Sequence, residues 1–269
     1  MRTATGAANG TLATHSASGK PIAIAIEGLS LSISGARIVE DVSFEVGMGE
    51  FLAIIGPNGA GKTSLFNLLS GTSAPTAGTV NLLGQDVTKR PPHVRARMGI
   101  GRTFQTSYLF LGLTVLENVR LQAQAKTIHG LQLLGRVGRG DSTEERAMAS
   151  LDRVGLANKA EWLAGSLSHG DRRKVELAIV LTSEAKVVLL DEPMAGVNSE
   201  EVDGLVELIR QLQEESGAAV LMVEHHLHVV LGLAERVAVM HHGALLAIDV
   251  PDLIMSDERV QTAYVGEEL

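Results

Sequence analysis

The chain has 269 residues, 45% apolar and 20% charged, enough to bury a substantial core in one large domain or two small ones. A net charge of −8 argues against a nucleic-acid partner, which usually demands a basic face. The chain contains no cysteine, so disulfides and thiolate metal sites are excluded, which fits a reducing compartment.

The first 20 residues, MRTATGAANGTLATHSASGK, are rich in Ala, Thr, Gly and Ser and have no apolar h-region. They are expected to form a flexible tail ahead of a domain at residues 21–269. No stretch reaches the roughly 20 apolar residues of a membrane span. The run from Val229 to Met240 is interrupted by Glu235 and Arg236.

From Pro21, IAIAIEGLSLSI reads as one or two short strands, and FEVGMGEFLAII as another ending at Ile55. GPNGAGKTSLFNLLSG turns on glycines into a helix that stops at Gly71. TVNLLGQDV gives a strand and a turn. Lys89, Arg90 and the following RARMG read as a solvated loop and helix. From about Thr106 to Ser183 the periodicity is helical, in LTVLENVRLQAQAK and in STEERAMASLDRVG, the second capped by Ser142 or Thr143. GLQLLGRVGRGD between them reads as a loop. Strand signals return in AKVVLLDE, AAVLMVEH and RVAVMHHGALLAI. Strands separated by helices predict an α/β fold with a mainly parallel sheet, and the helical middle, about 106–183, predicts an inserted subdomain.

Gly56-Pro57-Asn58-Gly59-Ala60-Gly61-Lys62-Thr63 matches the phosphate-loop pattern G-x-x-x-x-G-K-[ST] in full. An apolar strand precedes it and a helix follows, which an ordinary glycine turn does not require. Glycines let the backbone wrap a phosphate, and the helix start adds partial positive charge. Lys62 can reach the β- and γ-phosphates, and the Thr63 hydroxyl can bind Mg²⁺. These eight residues and Ser64 are the expected nucleotide contacts. VVLLDE, Val187 to Glu192, is an apolar run ending in two acids. Asp191 would support the Mg²⁺, and Glu192 would orient and polarise an attacking water.

LSHGDRRK, Leu167 to Lys174, packs Ser168, His169 and Asp171 together. A nucleophile elbow wants G-x-S-x-G after a strand, and neither is present. Ser168 with Asp171 three residues on is instead a helix-capping signature. Ser168 and Gly170 would then lie where free N–H groups make a second anion cradle, which is useful if it closes over the γ-phosphate held by another subunit.

The phosphate loop, LSHGD and VVLLDEP, in that order, resemble the ATP-binding subunits of ABC transporters, from about Ile22 to the C-terminus. The resemblance implies a P-loop NTPase core with a mainly parallel sheet, an antiparallel β subdomain and an inserted helical subdomain. It implies ATP and Mg²⁺ as ligands. Gln105 in GRTFQ would be the Q-loop glutamine, a Mg²⁺ and water ligand, and His225 in VEHH the switch histidine that contacts the γ-phosphate. His169 and Asp171 depart from the usual LSGGQ, and Asn198 stands where many members carry Asp. Ile33 falls where an aromatic residue usually stacks on adenine, implying weak discrimination between ATP and GTP.

GPNGAGKTSLFN, GIGRTFQ, LTVLENV, LSHGDRR and the ending VQTAYVGEEL are similar to the branched-chain amino-acid importer family, in particular to the first of its two ATPases. Close relatives handle urea, short amides or aromatic acids. The resemblance implies a second ATP-binding subunit, identical or paralogous, two membrane permeases and, indirectly, a periplasmic solute-binding protein. It implies a peripheral position on the cytoplasmic face of the bacterial inner membrane.

Two other classes carry a phosphate loop: a soluble ABC-type ATPase not coupled to transport, and a small-molecule kinase. Relatives of the first carry paired cassettes or long coiled-coil insertions, and the second has no use for a cradle at Ser168–Gly170. His225, His226 and His228 cluster, as do His241 and His242, but no acid or further His stands at ligand spacing, so zinc is not expected. Tyr108, Phe110 and Leu111 either pack in the core or stand exposed to receive a helix of a membrane subunit.

Overall fold

The computed structural model describes residues 19–103, 109–127 and 141–264. An antiparallel sheet comes first. Strands β1 (Ile22–Ile33) and β2 (Ala36–Gly47) form a long hairpin, closed by Ser34 and Gly35, both at positive φ. That is the backbone a tight two-residue hairpin turn requires. Strands β4 (Ala77–Leu82) and β5 (Gln85–Asp86) complete it in the order β2-β1-β4-β5.

The second sheet runs β10-β9-β3-β8-β7-β6. Its strands are β3 (Phe51–Ile55), β6 (Ile100–Arg102), β7 (Val187–Asp191), β8 (Ala219–Val223), β9 (Arg236–His241) and β10 (Ala244–Asp249). From β9 to β6 every pairing is parallel, and β10 adds an antiparallel edge. FLAII and AVLMV are buried at every position, as expected of strands covered on both faces.

Helix α1 (Lys62–Ser70) follows β3 and stops at Gly71 in the left-handed conformation. Helix α2 (Pro92–Met98) leads into β6, and α3 (Val115–Thr127), α4 (Ser142–Arg153) and α5 (His169–Ser183) fill the middle of the chain. Helix α6 (Ser199–Ser216) separates β7 from β8, and α7 (Leu227–Leu233), α8 (Pro251–Ser256) and α9 (Glu258–Tyr264) lie near the C-terminal end. One core joins the antiparallel sheet, α1 and the parallel sheet through Ile24, Val42, Phe66, Leu68 and Leu221. A second joins the middle helices and α6 to the sheet through Val119, Leu151, Val175, Leu190 and Met222. Among the described residues no helix is long and apolar enough to cross a membrane.

Three local expectations change, and one is refined. FEVGMGEFLAII is two strands of different sheets: Phe44–Gly47 ends β2, the chain turns at Gly47–Glu50, and β3 begins at Phe51. Glu50, 0% exposed, fixes that turn by accepting from Gly47 N–H and from Arg236. The strand signal of RVAVMHHGALLAI is a hairpin of β9 and β10, turning at His242 and Gly243. Helix α4 is capped by Asp141, whose Oδ1 accepts from the N–H groups of Thr143 and Glu144, so Ser142 and Thr143 lie inside the helix. The basic stretch before β6 is not wholly solvated. Arg95 is 1% exposed and donates to the carbonyls of Leu68, Leu69, Thr88 and Arg90, closing the last turn of α1. Residues 1–18, Gln105, Tyr108 and most of GLQLLGRVGRGD lie outside the described residues.

Candidate active site

Parallel strands deliver their C-terminal ends to one edge of a sheet, and ligands bind there in open α/β folds. Ile54, Val223 and Asp191 stand in one row across β3, β8 and β7. The segments that follow these strands therefore emerge side by side: the phosphate loop after β3, Glu192 after β7, and Glu224 and His225 after β8. Strand β6, beside β7, brings Arg102 to the same edge.

The phosphate loop is shaped by close backbone approach. Gly56 and Gly61 have φ of +149° and +96°. A Cβ on Gly56 would lie 2.1 Å from the Met240 carbonyl oxygen, and one on Gly61 would lie 2.6 Å from that of Ile38. No other residue fits either position. Lys62 Nζ, almost fully buried, donates to the carbonyls of Gly56 at 2.5 Å and Pro57 at 2.9 Å. Thr63, the next helical residue, is exposed, and Ser64 is half-buried. Pro57, Asn58, Gly59 and Ala60 complete the loop, with Ala60 donating from its N–H to the Pro57 carbonyl and accepting from Gly243.

Asp191 is 1% exposed. Burial pushes its carboxyl above the usual range, opposed by the hydrogen bond and charge of Arg102. Arg102 Nη2 donates to Asp191 Oδ2 at 2.9 Å, whereas Oδ1 is buried with no hydrogen-bond partner. A buried carboxylate oxygen with spare capacity, together with an exposed threonine hydroxyl at the helix start, is a donor set that suits a hard cation such as Mg²⁺. Glu192 has φ +48°, a left-handed backbone that side chains seldom adopt, and donates from its N–H to the Val223 carbonyl. That conformation aims its carboxylate at His225, with Oε1 3.1 Å from Nε2. A carboxylate beside an imidazole can position water and pass a proton.

Ser168 is the N-cap of α5, its Oγ accepting from Asp171 N–H at 3.1 Å. The Asp171 carboxylate is engaged by Lys159. Gly170 is buried under the Glu201 carboxylate: a Cβ there would sit 2.8 Å from Glu201 Oε2. A methyl group on Gly196 would touch His169 Nδ1, and Arg173 reaches the Ala195 carbonyl. The start of α5 is thus keyed to the segment between Glu192 and α6. Ile33 ends β1 at 56% exposure. Phe110 and Leu111 stand exposed, Phe110 lining a cavity of about 320 Å³ with Leu109, Asn118, Leu121 and Ile179.

Sequence reasoning missed Arg102 and Glu224. Arg102 is a cation closing an apolar strand three residues before Gln105, and that was its only signal. Glu224 is 2% exposed and accepts from the N–H groups of Met194 and His225, tying the two loops beside Glu192 together. Its buried position was not visible in VEHH.

Residues 39–195 match the family model described as ABC transporter. The chain is 38% identical over 249 residues to the high-affinity branched-chain amino acid transport ATP-binding protein LivG of Salmonella typhimurium, covering 91% of this chain and 98% of that one. It is 34% identical over 242 residues to the lipopolysaccharide export system ATP-binding protein LptB of Escherichia coli K12, covering 90% and 96%. An ATP-binding cassette of an ABC transporter, crystallised in its ADP conformation, superposes with a TM-score of 0.81 at 28% identity over 91% of this chain and 99% of that one.

Proposed function

The chain belongs to the ABC transporter family and is an ATPase subunit of that family, and from this premise we propose that it drives an importer for branched-chain amino acids or a related small polar solute. The likeness to LivG over nearly the full length of both chains carries the import reading. LptB is an export protein at 34% identity, which makes lipid export the second reading.

In this reading ATP lies on the phosphate loop, Gly56 to Ser64, with Lys62 neutralising its β- and γ-phosphates. Ile33 covers the base. Thr63, Asp191 and Gln105 would hold Mg²⁺, which would supply charge neutralisation at the phosphates. Glu192 polarises the attacking water, and His225 stabilises the charge that develops on the γ-phosphate. A second ATP-binding subunit, identical or paralogous, contributes its own cradle equivalent to Ser168–Gly170. Two permease subunits carry the solute, a periplasmic binding protein presents it, and the ATPase pair works peripherally on the cytoplasmic face of the inner membrane.

The test is uptake of labelled leucine, isoleucine and valine into vesicles bearing the assembled transporter. Lys62→Ala in this chain should abolish it together with phosphate release. Release of free phosphate without any acceptor excludes a kinase. Amino-acid uptake unaffected by Lys62→Ala would overturn the import reading.

A further inference from the structure

We infer that Arg102 is the positioning residue for the divalent cation of the nucleotide site: its guanidinium ties one oxygen of Asp191 and keeps the other presented to the metal or its water shell. The inference rests on the reading that Mg²⁺-nucleotide binds at the phosphate loop and Asp191. Arg102 is itself no ligand there; it acts through the carboxylate.

Arg102 and Asp191 form a buried ion pair, with side chains 6% and 1% exposed. The guanidinium is held from three further sides. Nη1 donates to Asn67 Oδ1 and to Ser70 Oγ, both at 2.8 Å, and the Phe66 ring lies 5.9 Å from Cζ. Asn67, Ser70 and Phe66 all belong to α1, the helix that begins with Lys62 and Thr63. One rigid fork therefore spans from the phosphate-binding helix to the last residue of β7. With Oδ2 tied, the Asp191 carboxylate cannot turn freely, and Oδ1, buried and without a hydrogen-bond partner, stays on the remaining side. Partners that orient a ligating carboxylate in this way govern metal affinity. Glu176, paired with Arg173, also keeps one buried oxygen without a hydrogen-bond partner, so what marks Asp191 is its place: its pair ends β7 and is anchored on the helix that begins with Lys62 and Thr63.

The experiment titrates a fluorescent ATP analogue onto the purified chain in EDTA and then at graded Mg²⁺. In Arg102→Met, nucleotide affinity in EDTA should be unchanged, while apparent Mg²⁺ affinity falls by about 10- to 100-fold. Asn67→Ala, which leaves the ion pair and removes one of its supports, should shift Mg²⁺ affinity in the same direction by less. An Arg102→Met chain that is folded by circular dichroism yet binds Mg²⁺ as well as, or more tightly than, wild type overturns the inference; tighter binding would mean that the guanidinium competes with the metal. An equal loss in EDTA and in Mg²⁺ overturns it too, because that is what a purely structural pair predicts. If Arg102→Met does not fold, Asn67→Ala decides, and unchanged Mg²⁺ affinity there is fatal. Failure of the wild-type chain to bind the nucleotide would instead sink the underlying reading.

Discussion

Glu192 occupies a backbone conformation that costs a non-glycine residue on the order of 1 kcal/mol or more, and a fold keeps such strain only where its surroundings enforce it. Here the enforcement is the Glu192 N–H bonded to the neighbouring strand at Val223, and the return is a carboxylate 3.1 Å from His225. Glu192→Gln keeps the size and the hydrogen-bonding reach of the side chain but removes its basicity. Turnover in single-cycle phosphate release should fall by about a hundredfold or more. ATP binding should persist, and gel filtration with ATP should trap a two-chain species. Normal turnover in that variant would remove Glu192 from its role. Asp191 and Glu192 were legible because an apolar strand that ends in two acids announces where it leaves the core. Arg102 was not, because its importance lies in partners 32 to 89 residues away.

Elements were legible where one local rule decided them, and misread where a distant contact did. The end of α1 at Gly71 was read correctly from the glycine, but Arg95, which closes the same helix end, lies in a stretch that looked merely basic. The join of β2 and β3 was hidden because both strands are apolar, and the turn is fixed by Glu50 and Arg236 far along the chain. At α4 the cap is Asp141 instead of Ser142 or Thr143, since Asp141 accepts from two N–H groups at once. The Thr143 hydroxyl, with Glu144 N–H and Arg120, holds the Asp141 carboxyl down to about 2. A folded pKa below the unfolded one gives stability that is present above the ordinary carboxylate range and lost as pH falls toward 2. Amide exchange in α4 should therefore quicken, relative to its intrinsic rate, as the pH is lowered from about 4 to about 2. Asp141→Ala should show the faster exchange already at neutral pH and lack the acid dependence. Acid-insensitive protection of α4 in the wild-type chain would contradict the cap.

At the scale of the whole molecule, the order β3-β8-β7-β6 gathers the phosphate loop, His225, Glu192 and Arg102 at one edge, and the class of fold was readable from alternating strands and helices. What no single chain contains is the proposed partner cradle. Ser168→Arg tests it. Losing the cap costs α5 about 1 kcal/mol, a local effect that leaves the phosphate loop untouched. Nucleotide binding by the single chain should survive, whereas ATP-driven pairing in light scattering and steady-state phosphate release should both collapse. Unchanged ATPase activity would count against a composite pocket. The phosphate loop itself has a quieter property. Its two walls are the peptide oxygens of Ile38 and Met240, and every amino acid brings the same oxygen. A slip of one residue in β2 or β9 would move those oxygens and spoil the mould, so strand alignment sets its shape, while the Met240 side chain, buried in the core with Cε close to Gly61, adds a demand on volume at that one wall.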